Sequence, residues 1–398
     1  MDLIVKAFFD AVYTGSNGLS DFLQTPDIAK FLLVDARRPN CPQGDTILHI
    51  AARSGNLSVL TLAVEAGADI EAMNASGKRP LHEAAQCGHP ECAQFLIENG
   101  ANVNALKRGD WTPLMLSVAS CVYGSTPLPK LASRGGVEPI IYELTAFCAA
   151  LISGTTKNGR TPLHCLALSR SVQPTASVRI ACSFLLQDVQ LLYCEDACGC
   201  LPIMDALRQG NLPLARFLLD ESMSSPEILL RRDKLGYQAI HIAAEAGQIG
   251  SIQFVLDAAG EETAVSVTIA ESGSSLSPLH LACREGHPKV VSLLADTICH
   301  LSVSHPYHHF LLPLDVHGRS PLYYAASGAA GVGFVGLNHR LTCFKDLVGA
   351  VFSLLTRTPE PIRTSLKRRL QSSLTEAESL GVLEFTNLVE VIRSETLG

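Results

Sequence analysis

The sequence predicts an all-α protein, a solenoid of about nine helix-turn-helix repeats finished by a helical C-terminal cap. Three observations predict it. A short phrase recurs along the chain, as Gly44-Asp-Thr-Ile-Leu-His49, Gly77-Lys-Arg-Pro-Leu-His82, Gly159-Arg-Thr-Pro-Leu-His164 and Ser277-Pro-Leu-His280. The Leu or Ile after the proline slot returns at Leu48, Leu81, Leu114, Leu163, Ile203, Ile240, Leu279 and Leu322, in steps that start at 33 residues and stretch to 49. A recurring period of about 20–50 residues marks stacked repeats. Most copies are also punctuated as a helix, with proline where a missing N–H costs nothing or glycine at the stop.

The elements follow in chain order. Leu3 to Val12 is an apolar helical run, and Asp27 to Val34 supplies a second helix. Residues 1–43 therefore read as a degenerate N-terminal capping repeat. The array proper spans 44–356. Thr46, Thr112, Thr161, Ser277 and Ser320 precede the first helical residue, where a hydroxyl can cap free N–H groups. The marker Leu or Ile and the alanine three residues later (Ala51, Ala84, Ala206, Ala243, Ala282, Ala325) share one face, and small alanines let neighbouring first helices approach. Gly55, Gly88, Gly210, Gly247 and Gly286 end that helix, and a second, bulkier apolar helix follows, as in Cys92 to Ile97. Insertions near 123–137, 298–314 and 328–338 read as loops. Residues 357–398 lose the phrase; Glu360 to Gln371, Leu374 to Leu380 and Glu384 to Ser394 read as three short helices of the cap, with a basic run at Lys367-Arg368-Arg369.

Several positions depart from the phrase. Arg79, Leu201 and Gln238 replace the capping hydroxyl, Asp110 and Ser275 take the turn glycine's place, and Cys121 and Arg170 stand where the helix-ending glycine belongs. The stretch from Leu114 to Ile240 is the least regular.

Composition narrows the function classes. Thirty-one basic against 38 acidic residues give a net charge of -7, which argues against a nucleic-acid grip. The richest apolar run, Ile140 to Ile152, is 13 residues long and holds Glu143, too short for a span of about 20 residues. No secretion signal is visible, which places the chain inside the cell, in the cytoplasm with the nucleus as a second location. Thirteen cysteines, an odd number, include several at core-like helical positions and fit reduced thiols.

The period of 33 with the Thr-Pro-Leu-His phrase resembles the ankyrin-repeat family over roughly residues 1–356. The resemblance implies finger-like β-turns between repeats. It also implies histidines (His49, His82, His164, His241, His280) that bond the Thr hydroxyl and neighbouring turns, and a concave groove lined by fingers and first helices. By the phrase's register Asp45, Lys78, Trp111, Arg160, Cys200, Tyr237, Leu276 and Arg319 hold the variable slot before the cap. Lys107, Arg108, Lys157 and Lys234 occupy adjacent turn positions, and Arg79 the cap slot itself. That face is richer in Lys and Arg than the chain as a whole. It suggests a groove for an acidic or phosphorylated segment of another protein, with Trp111 and Tyr237 as aromatic anchors.

The expected function is thus a non-catalytic scaffold or adaptor with no cofactor. No nucleotide-binding, nucleophile-elbow or zinc-protease phrase appears. Two alternatives stand beside it. One is a substrate-recognition subunit of a ubiquitin-ligase complex, although the tail matches no docking box. The other is a metal site in the loop that carries Cys299, His300, His305, His308 and His309, whose ligands lack the paired spacing of a zinc site.

Overall fold

Proline at the head and glycine at the foot make short first helices, and the structure shows what those helices do with their alanines. It is a computed structural model that describes residues 2–14, 22, 26–38, 43–123, 154–169, 174–223, 226–268, 272–304, 310–327, 334–360 and 362–397. Nineteen α-helices and no strand occur among them. The chain divides into two compact units, Met1–Ala197 and Cys198–Gly398.

In the first unit α1 (Asp2–Thr14) and α2 (Pro26–Lys30) precede the regular pairs α3 (Ile47–Ser54) with α4 (Leu57–Glu65) and α5 (Pro80–Cys87) with α6 (Pro90–Glu98). Then come α7 (Pro113–Tyr123), α8 (Pro162–Ala167) and α9 (Pro174–Leu185). First helices stack on first helices: α3 on α5, α5 on α7, α7 on α8. Ala51 and Ala84 are fully buried in those contacts.

The second unit repeats the scheme with α10 (Pro202–Gln209), α11 (Leu212–Asp220), α12 (Ala239–Glu245), α13 (Ile249–Thr268), α14 (Pro278–Glu285), α15 (Pro288–Ser304), α16 (Pro321–Ser327) and α17 (Phe334–Arg357). The cap is α18 (Ile362–Glu378) and α19 (Leu383–Leu397). α10, α12, α14, α16 and α18 pack in series, so the first cap helix occupies the place of one more first helix.

Three expectations are corrected. The loop expected at 298–314 begins as helix, because α15 runs through to Ser304, and that at 328–338 ends as helix, because α17 starts at Phe334. Residues 124–137, 305–309 and 328–333 lie outside the described residues. The cap has two described helices, not three: Ser372 and Ser373 do not interrupt α18, and Ser373 is buried at the helix's inner face between Leu370 and Leu374. Other departures act as their chemistry dictates. Without a stop glycine at Cys121, α7 runs on to Tyr123, and Asp110 and Ser275 adopt left-handed φ of 62° and 56°.

The turns form a ladder in each unit. In the first, Ala75 N–H donates to Gln43 O at 2.7 Å, Arg108 N–H to Ser76 O at 3.3 Å, Lys157 N–H to Gly109 O at 3.0 Å and Ala197 N–H to Asn158 O at 2.8 Å. In the second, Lys234 donates to Cys198 at 2.9 Å, Gly273 to Leu235 at 3.0 Å and Val316 to Ser274 at 3.4 Å. Each turn is tied internally by a side chain. Asn74 Oδ1 accepts from the N–H groups of Ser76 and Lys78 at 3.0 Å, and Asp315 Oδ1 accepts from those of His317 and Arg319 at 2.8 Å. Gly236 shows how close these turns lie: its φ is +80°, and a Cβ there would meet Gly273 N at 2.4 Å.

Candidate protein-interaction face

The histidines hold this face together. His49 Nδ1 lies 2.8 Å from Thr46 Oγ1 and accepts Thr46 N–H at 3.2 Å, while its Nε2 lies 3.0 Å from Lys78 O. His280 repeats this with Ser277 (2.9 and 3.0 Å) and Arg319 O (3.1 Å). Where the hydroxyl is missing, half of the arrangement survives. Arg79 N–H donates to His82 Nδ1 at 3.2 Å, with Nε2 at 3.2 Å from Trp111 O; Gln238 N–H donates to His241 Nδ1 at 3.3 Å, with Nε2 at 3.1 Å from Leu276 O. An Nδ1 that accepts and an Nε2 facing a carbonyl fix the Nε2–H tautomer. Burial holds His82 and His280 down at a pKa of about 4 and lowers His49 as well. A neutral ring is a structural clamp from each first helix to the following turn.

The recurrence of Gly before His has a second meaning that the sequence reading missed. His89 and His287, each directly after a stop glycine, reach back to the preceding repeat through Nε2, to Arg53 O and Glu245 O at 3.0 Å. The last repeat has Tyr323 in the histidine's place. There burial together with nearby Asp315 holds the Glu376 carboxyl of α18 above the usual range.

Three of the cations expected on this face, Lys78, Arg79 and Arg160, are engaged by carboxylates. Arg53 bridges two buried carboxylates, Asp45 at 2.9 Å and Glu83 at 3.0 Å, and Lys78 meets the other Glu83 oxygen at 3.2 Å as well as Gln86. The Arg53 and Lys78 cations hold Glu83 below its ordinary pKa against the upward push of burial. Arg79 pairs with Glu71 at 2.8 Å and Arg160 with Asp196 at 3.4 Å. In the second unit Tyr237 is 8% exposed and stacks on His241 at 5.6 Å, so it packs the turn. Arg319 lies over the Tyr323 ring at 5.0 Å, and Lys234 is exposed. Asp45, Cys200 and Leu276, in the same slot, are buried. The slot thus faces the wall between turn and first helix, and the turn tips are what solvent reaches.

What remains open in the first unit is one cluster. Lys107 Nζ lies 5.6 Å from the centroid of the half-exposed Trp111 ring. Arg108 and Lys157 are exposed on adjacent turns, which the Lys157–Gly109 bond joins. Lys107, Arg108 and Lys157 make no ion pair with a carboxylate among the described residues. Beside them, Leu106 is 51% exposed.

The metal alternative finds no support among the described residues, where no group of three or more His, Cys, Asp or Glu side chains is placed to hold an ion. Cys299 donates its thiol proton to Ala350 O at 3.8 Å, His300 is exposed, and His305, His308 and His309 lie outside the described residues. No helix among the described residues is long and apolar enough to cross a membrane.

These elements, helix pairs in series with histidine-clamped turns, define a class, the helical repeat proteins. The sequence itself matches the ankyrin-repeat family: a three-copy ankyrin-repeat model covers residues 20–107 and 80–127, and a single ankyrin repeat covers 275–301. The chain is an ankyrin-repeat protein. Such repeats generally mediate protein–protein interaction and are typically non-catalytic.

Proposed function

We propose that this protein is a scaffold or adaptor that holds an acidic or phosphorylated segment of another protein against the turns of its first unit. The observation that carries the reading is the Lys107–Trp111 pair flanked by Arg108 and Lys157: three cations that make no ion pair with a carboxylate among the described residues, and a half-exposed aromatic ring. Lys78, Arg79 and Arg160 stand beside them, already neutralised by Glu83, Glu71 and Asp196. Neutralised groups offer a ligand little Coulombic gain, whereas the open cations and an indole that loses little entropy on contact offer more. In the second unit Lys234 and Arg319 are exposed at their own turn tips.

The test is affinity capture with wild type and an Arg108→Glu, Lys157→Glu, Trp111→Ala variant side by side. Proteins held by wild type should be lost from the variant and should elute from wild type as salt rises past the screening range of about 0.15 M. Capture of the same set by both proteins would refute this use of the face.

A further inference from the structure

The C-terminal helices of the second unit enclose a cleft that the turn face does not use. Its volume is about 760 Å³, and α17, α18 and α19 wall it on three sides. α19 starts against α17, where the Phe385 ring meets Phe344 edge-on at 5.3 Å. The cleft lies further along α17, beside Phe352 and Leu355. On α18 it follows one face from Arg363 through Lys367, Leu370 and Leu374 to Thr375, a run of about 18 Å at about 1.5 Å per residue.

Its chemistry is asymmetric. Leu355, Leu370 and Leu374 give it an apolar floor, and among the described residues no carboxylate lines it. Arg363 stands at one end, braced by hydrogen bonds to Leu355 O at 3.1 Å and Thr358 O at 2.9 Å. Arg393 is bound at 2.8 Å to Glu378 and at 3.0 Å to Thr375 Oγ1. Lys367, one turn from Arg363, is exposed and makes no ion pair among the described residues. At the end where Arg363 pairs with Glu360 at 3.9 Å, Lys367 is therefore the uncommitted positive charge, and the floor offers only hydrocarbon.

We propose that this cleft binds a chain-like amphipathic carboxylate, of the chemistry of a fatty acid. Its apolar chain lies along Leu370 and Leu374, and its carboxylate meets Lys367 at the Arg363 end. One open cation at one end of an apolar floor matches a chain with a single terminal anion. A single extended chain fits, and the volume falls within the range of about 300–1,000 Å³ usual for small-ligand sites.

The test is calorimetric titration of the full chain with dodecanoate, dodecanol and acetate. Dodecanoate should bind saturably at one per chain and acetate not at all. Dodecanol should bind about five-fold more weakly, the upper measure of an exposed ion pair. Lys367→Gln should weaken dodecanoate by about the same five-fold and leave dodecanol unchanged. Gln371→Trp, at an exposed position on the cleft wall, should abolish binding of both at an unchanged circular dichroism spectrum. Should that variant misfold, Lys367→Glu at its exposed site supplies the decision, because it must abolish the preference for dodecanoate over dodecanol. Absence of saturable dodecanoate binding would overturn the proposal. So would binding indifferent to Gln371→Trp, or a Gln371→Trp-sensitive site that takes an acidic amphipathic helical peptide and not dodecanoate.

Discussion

Mild acid should loosen the first unit through His82. In the folded protein its Nδ1 accepts Arg79 N–H and its Nε2 faces Trp111 O, and burial lowers its pKa to about 4, from 6.5 for a free ring. A depressed histidine pKa means that the unfolded chain takes up the proton first. The clamp's contribution is therefore complete above about pH 6.5 and is lost as pH falls toward about 4. At about pH 5 the unfolded ring is almost fully protonated and the folded ring barely so, and the difference is about 2 kcal/mol relative to about pH 7.5. His49, displaced in the same direction, adds to it. Trp111 is the chain's only tryptophan and sits on the turn His82 clamps, so urea unfolding followed by its fluorescence reports this unit locally. His82→Gln should be less stable than wild type at about pH 7.5 but lose about 2 kcal/mol less on acidification. Equal losses in wild type and variant would refute the buried-clamp reasoning.

Three further outcomes follow from the packing. Glu83→Gln leaves Arg53 and Lys78 facing a neutral partner in a nearly dry site and should lower the first unit's stability by about 3 kcal/mol, read in the same urea titration. Gly236→Ala must both hold a left-handed φ and push the Gly273 backbone away, so the second unit's melting temperature should fall while the first unit's fluorescence transition stays in place. Amide exchange should be faster between Leu114 and Ile240 than between Leu48 and Gly100, because the former stretch lacks several caps and stops; uniform protection would contradict it.

The first helices were legible because their signals are local. Proline, a hydroxyl, histidine and a stop glycine lie within one phrase, and the structure uses each where the phrase puts it. The charge pairing was not legible, for a physical reason. Arg53 and Glu83 are 30 residues apart and meet only when the second repeat docks on the first, so a count of basic residues on the face overstated what a partner could find. Knowing the 33-residue register, one could have laid Glu83 against Arg53. The burial of Tyr237 likewise depends on His241 one turn away and on the next turn beyond. The tail was misread through its serines, which look like a break until Ser373 is seen to be buried.

The rungs between turns bear on how such a chain can grow. In the first unit the rung from Lys157 to Gly109 is as short as its neighbours, although the step that spans it, Leu114 to Leu163, is 16 residues longer than the standard 33. In the second unit α13 has 20 residues and α11 only nine, yet the turns on either side of each still meet. Within each unit the repeats resemble pages of unequal width sewn along one spine: material added at the free margin leaves the stitching undisturbed. Length variation can accumulate on the helical side without altering the spacing of the turn tips.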